Sequence, residues 1–116
     1  MKVIFHVNDP ERWGIAARDA KNTLTYYKQQ QQPCQISLVA TGAAVRQLQK
    51  ADAQKAGLSA VLELMTLDGM TLYACSDSMQ MQHIEPQNLL EFVTVVPVGA
   101  VQMIELQSKG YAYIRP

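Results

Sequence analysis

Residues 71–79 read T-L-Y-A-C-S-D-S-M, and their character changes at the centre. Leu72, Tyr73 and Ala74 form a short apolar run that ends on Cys75, and Ser76, Asp77 and Ser78 are all residue types that cap helices. An apolar run followed at once by caps is a strand turning into a helix, the junction from which α/β proteins are built. It places the Cys75 thiol at the carboxyl end of a strand and the amino end of a helix. Unpaired backbone N–H groups and the helix dipole favour negative charge there, so the thiol ionises below its usual pKa of about 8.5. The Asp77 carboxylate pulls the other way, since like charge disfavours a thiolate. Cys75 is the candidate nucleophile, weighed against the ordinary fate of a cytosolic cysteine as a packed core side chain.

The same alternation extends on both sides of this stretch. Lys2–Val7 is dense in β-branched and aromatic residues and reads as a strand buried on both faces. Asp9 then serves as N-cap, with Pro10 at the first helical position and Glu11 in the first turn. The helix carries an apolar stripe of Trp13, Ala16, Ala17, Ala20, Leu24 and Tyr27, and its solvated end runs through Gln29 to Gln32 before Pro33. Gln35–Ala40 is a second strand, and Thr41-Gly42 the turn after it. A helix from about residue 43 turns Val45 and Leu48 inward, residues 49–56 are polar, and Gly57 breaks the pattern. A short helix with Leu58, Val61, Leu62 and Met65 on one side ends at Gly69, which suits a left-handed C-terminal cap. After the strand of residues 70–74 come short helical pieces at 76–82 and 86–90, a strand at 91–96, a last helix to about 108 and a fifth strand at 111–114. This order predicts a single domain over residues 1–116, a three-layer α/β/α fold with a five-stranded, largely parallel sheet and right-handed crossovers.

In such a sheet the turns that follow the strands gather along one edge, and ligands bind outside those carboxyl ends. Four turns meet there on this reading: His6 with Asn8, Thr41-Gly42, Cys75 with Ser76, Asp77 and Ser78, and Pro97 with Gly99. They offer one thiol, one histidine and several small polar groups, a small and open crevice. His6 is either a base for Cys75 or a satisfied core histidine, and His83 is a surface residue. Thr41-Gly42 lacks the glycine spacing and lysine of a phosphate loop, and no flavin motif is present, so no cofactor is expected. Two cysteines and two histidines without C-x-x-C or H-x-x-x-H spacing fall short of a zinc set, so no metal is expected either. Cys34 starts a strand while Cys75 ends one. That separates them by roughly 17 Å, against the Cα spacing of about 7 Å that a disulfide tolerates. Cys34 reads as a buried small hydrophobe.

Composition excludes several classes of function. Hydrophobic residues at 48% and charged residues at 17% fit a folded globular chain and not a disordered one. Basic and acidic residues balance at 10 each and are scattered, which argues against nucleic acid or an anionic membrane as partner. No apolar run approaches a membrane span, and the amino terminus reads as a strand and not as a secretion signal, so a cytoplasmic location is expected.

F-H-V-N at residues 5–8, L-V-A-T-G at 38–42, Y-A-C-S-D-S-M at 73–79 and the block V-T-V-V-P-V-G-A-V-Q-M-I-E-L-Q-S-K-G-Y-A-Y-I-R-P at 93–116 together resemble the DsrE/DsrF-like family. The likeness spans nearly the whole chain, and the final block is its most specific part. It implies a small three-layer α/β/α protein that forms trimers or hexamers. In some members it implies a cysteine that carries sulfur as a persulfide in sulfur-relay and sulfur-oxidation systems. The matching position is Cys75, which would make this chain a sulfurtransferase-type carrier with protein donors and acceptors of sulfur. The alternative is a non-catalytic oligomeric binding module whose crevice holds a small ligand or a partner loop around a merely packed Cys75; the lack of a basic residue soon after Cys75 favours it. Met79, Met81, Ile84, Leu89 and Leu90 lie on short elements and are expected at a subunit contact, while Trp13, Met65, Met70 and Met103 are core or contact residues.

Overall fold

The computed structural model describes residues 1–116. Five strands, β1 (Lys2–Val7), β2 (Gln35–Ala40), β3 (Thr71–Cys75), β4 (Val93–Val96) and β5 (Ala112–Ile114), form one sheet in the order β4-β3-β2-β1-β5. Every neighbouring pair is parallel. The helices are α1 (Trp13–Gln29), α2 (Lys50–Lys55), α3 (Ser59–Leu67), α4 (Ser76–Met81) and α5 (Gly99–Ser108). The fold is the three-layer α/β/α arrangement that the alternation predicts, with a sheet that is wholly parallel.

Crossover handedness explains why the two helical layers differ so much. The first three crossovers step in one direction across the sheet, from β1 to β2 to β3 to β4, and right-handedness keeps their helices on one face. The last crossover runs the other way, from β4 past the whole sheet to the far side of β1, so its helix α5 lies on the opposite face. The main core accordingly joins Val3, Phe5, Val7, Leu38 and Leu72 to Trp13, Ala16, Ala20, Leu24, Leu62 and Met65. A second, small cluster on the other face sets Ile4 and Val39 against Met103 and Leu106 of α5, with Tyr73 and Tyr111 partly buried beside it.

Local signals placed most boundaries. The Asp9 side chain accepts from the Glu11 N–H at 3.0 Å and opens a 3-10 turn (Pro10–Arg12) that leads into α1. Gly57, Gly69 and Gly110 end helical stretches with positive φ. The helix expected from residue 43 is instead a 3-10 segment, Gly42–Leu48. Thr41 gives it no side-chain cap, and the buried Trp13 indole N–H donates to the Ala44 carbonyl at 2.9 Å, fixing a tighter winding while Ala44, Val45 and Leu48 enter the core.

Two further expectations are corrected by packing. Met79, Ile84, Leu89 and Leu90 are buried in the main core, so only Met81, at 77% exposure, remains for an outside contact in that segment. Cys34, just ahead of β2, is half-buried where full burial was expected. Both cysteines are free thiols.

Candidate functional site

The carboxyl edge of the sheet collects the turns that the sequence singled out, and they fall into two groups around Thr41. The first surrounds Cys75, the last residue of β3 and the N-cap of α4. Its Sγ accepts the Ser78 N–H at 3.4 Å and the Gly99 N–H at 3.3 Å. Gly99 is the first residue of α5, so the sulfur sits against the amino termini of two helices lying on opposite faces of the sheet. Burial alone would raise the thiol pKa. The Ser78 hydroxyl and the N–H dipoles of Ser78, Gly99 and Asp77 around the sulfur outweigh it, and the thiol lies below its ordinary value.

Gly99 is required by space. A Cβ there would stand 2.6 Å from Thr41 Cγ2 and 3.2 Å from Cys75 Cβ, so any side chain would push the N–H donor off the sulfur. Ser78 Oγ accepts the Gly42 N–H at 2.8 Å, and Gly42 adopts φ +57°, a conformation that favours glycine. The Asp77 side chain is exposed, and its N–H donates to the Pro97 carbonyl at 3.2 Å, tying the β3 and β4 turns together. What reaches the sulfur from Asp77 is therefore a backbone dipole and not its carboxylate. Ser76 takes no part, since its hydroxyl accepts from Gln80 along α4 at 3.4 Å.

The second group is built on β1 and β5. His6 Nε2 lies 2.7 Å from Thr41 Oγ1, and Nδ1 bonds the Tyr113 hydroxyl. Burial, with Arg115 nearby, holds the imidazole below its ordinary pKa, so it is neutral near pH 7. Arg115 Nη2 donates to Asn8 Oδ1 at 3.3 Å. His6 is thus a satisfied histidine and not a base for Cys75. β2 stands between β1 and β3, which puts their backbones about 10 Å apart, and both imidazole nitrogens are engaged. Thr41 links the groups, turning its hydroxyl to His6 and its methyl toward Gly99.

Sequence reasoning missed Tyr113, Arg115 and Gln82. The first two come from the far end of the chain and reach the site only through the β1–β5 pairing. Gln82 follows α4 and donates to the Gly42 carbonyl at 2.7 Å. The crevice is also less open than expected. Cys75 is only 5% exposed, and the hollow of about 190 Å³ on the neighbouring β4–α5 turn is lined by Val96, Pro97, Val98, Val101, Gln102 and Glu105 and not by the thiol. No group of three His, Cys, Asp or Glu side chains is placed to hold a metal ion, and no helix is long and apolar enough to cross a membrane.

A profile described as the DsrE/DsrF-like family matches residues 1–116. The chain belongs to that family. Among solved structures, this DsrE-like chain is similar to the protein of unknown function MTH1491 from Methanobacterium thermoautotrophicum, with TM-score 0.86 and 26% identity over 99% of this chain and 98% of that one. It shares the fold of the conserved protein of unknown function BT1422 from Bacteroides thetaiotaomicron, with TM-score 0.73 and 16% identity over 99% and 94% of the two chains. It also shares the fold of the ychN protein from E. coli, with TM-score 0.71 and 12% identity over 100% and 99%. No curated protein matches the chain. The DsrE-like family is associated with sulfur relay, and its model covers the segment that carries Cys75.

Proposed function

We propose that this protein is a sulfur-relay carrier that holds sulfane sulfur as a persulfide on Cys75. The observation that carries the reading is the convergence of N–H groups from two helix termini on one sulfur. Such a cradle stabilises a thiolate before transfer, and the same donors suit the anionic sulfur of a persulfide afterwards. In the loading step the Cys75 thiolate attacks the outer sulfur of a donor protein's persulfide. A new S–S bond forms at Cys75, the donor's S–S bond breaks, and the donor departs as a thiolate that takes up the proton of the transferred sulfur. Delivery repeats the exchange with an acceptor thiolate as nucleophile. No net oxidation occurs, so the chain needs no redox cofactor, and chemistry of this kind fits a reducing compartment such as the cytoplasm.

Incubation with a persulfide donor followed by intact mass measurement tests the reading. A gain of one sulfur that disappears in Cys75→Ala is the expected result; no gain in the wild-type chain, with Cys75 inert to alkylation, overturns it. The burial of Cys75 favours one other reading, a binding module with a packed thiol. That reading predicts the inert outcome.

The carrier is further proposed to work as a homo-oligomer, a trimer or hexamer as the family likeness implies. Support comes from α5 and its N-cap, which present Val98, Val101 and Ile104 outward at three-residue steps.

A further inference from the structure

Gln82 carries both of its amide protons into the Cys75 site. Its Nε2 donates to the Gly42 carbonyl at 2.7 Å and to the Ser78 carbonyl at 3.0 Å, so it bridges the turn after β2 to α4. Gly42 is thereby held at both ends from α4, its C=O by Gln82 and its N–H by the Ser78 hydroxyl oxygen at 2.8 Å. This matters because a glycine at φ +57° has little of its own to fix its orientation.

The consequence falls on the Ser78 hydroxyl, which has one proton and two lone pairs. A lone pair is used by the Gly42 N–H, which sets the direction in which the proton points. With Gly42 in place the hydroxyl is held beside the Cys75 thiol, whose Sγ accepts the N–H of the same serine at 3.4 Å, and its presence there favours the thiolate. With Gly42 released, the hydroxyl is free to turn toward a backbone carbonyl of its own helix or toward water, as serine hydroxyls in helices commonly do. We propose that Gln82 is a positioning residue for Cys75: by clamping Gly42 it aims the Ser78 hydroxyl at the sulfur. The inference rests on the reading of Cys75 as the sulfur-carrying thiol, and it adds a residue that never touches that sulfur.

The test is the pH profile of Cys75 alkylation by iodoacetamide, read by mass spectrometry on the intact folded chain. Gln82→Ala raises the midpoint by about half a unit to one unit, as expected when a single hydrogen bond to a thiolate is weakened. Gln82→Met keeps the length and neutrality of the side chain without its donors, and gives the same rise should the alanine variant fold poorly. Ser78→Ala raises the midpoint at least as far, and Ser78→Ala combined with Gln82→Met goes no further than Ser78→Ala alone, because the second change acts through the first. Gln80→Ala serves as the control on the same helix, since the Gln80 side chain bonds only the Ser76 hydroxyl, and leaves the midpoint unmoved. A midpoint unchanged in both Gln82 variants, or a Gln82→Met shift that adds to that of Ser78→Ala, overturns the inference while leaving the sulfur-carrier reading intact. An ordinary midpoint in the wild-type chain overturns both.

Discussion

At Cys75 two effects of burial compete. Loss of water penalises the thiolate, yet the same enclosure brings N–H groups and a hydroxyl against the sulfur, and the donors prevail. Cys34 has the first effect with little of the second, since burial raises its pKa and only the N-terminal ammonium opposes it. Alkylation of Cys75 is therefore expected to level off at a lower pH than that of Cys34, with a midpoint below that of an ordinary thiol. Site-resolved mass spectrometry across pH 6 to 10 (an order-of-magnitude window around thiol values) checks this; coincident midpoints would contradict the cradle. Asp77→Asn should leave the Cys75 midpoint where it is, because the exposed carboxylate contributes nothing there beyond its backbone. Gly99→Ala places a methyl group on Thr41 and Cys75, and overpacking of that kind costs about 1–3 kcal/mol. Denaturant unfolding should show that loss and alkylation a raised midpoint. Thr41→Ser, which removes the facing methyl but keeps the hydroxyl that bonds His6, should recover much of the stability.

The 3-10 segment Gly42–Leu48 is the element whose form depends most on a distant partner. Runs of this winding beyond three or four residues are uncommon, and this one spans seven. Trp13→Phe keeps most of the ring but leaves the Ala44 carbonyl buried without its donor, a cost of about 1–3 kcal/mol. Amide exchange in residues 42–48 should accelerate in that variant more than exchange in β1 or β2; uniform acceleration would mean that the indole bond does not hold the segment. Strands and the longer helix were legible in the sequence because their signals are local: continuous apolar runs for β1 and β2, a cap and a stripe for α1, glycines after α3 and α5. The 3-10 winding was not legible, since nothing in G-A-A-V-R-Q-L announces a bond from Trp13. The same division runs through the site. Cys75, Ser78, Gly42 and Gly99 could be named from strand-end positions. The depth of the thiol and the engagement of His6 could not, because they follow from strand order and from the wedge that Thr41 drives toward Gly99.

For the whole molecule, the inequality of its two helical layers has a direct outcome. One helix covers a five-stranded face, and its outward side carries Ile104 at 63% exposure in line with Val98 and Val101. A second copy seated on that side would explain the pattern. Light scattering at micromolar concentration should give a multiple of 12.9 kDa, and Val101→Asp with Ile104→Asp should return the monomer mass. A wild-type monomer would refute the assembly. The return crossover also sets the order in which donors reach the thiol. Cys75 is made 24 residues before Gly99, so the donor from α5 reaches the sulfur after that of α4, whose residues follow Cys75 directly. On a ribosome adding roughly 5–20 residues per second, the surroundings of the sulfur are therefore assembled in two stages, first within α4 and then, about 1–5 s later, from Gly99. A chain that has made α4 but not yet the turn before α5 thus holds Cys75 Sγ by the Ser78 N–H alone, where the folded protein adds the Gly99 N–H.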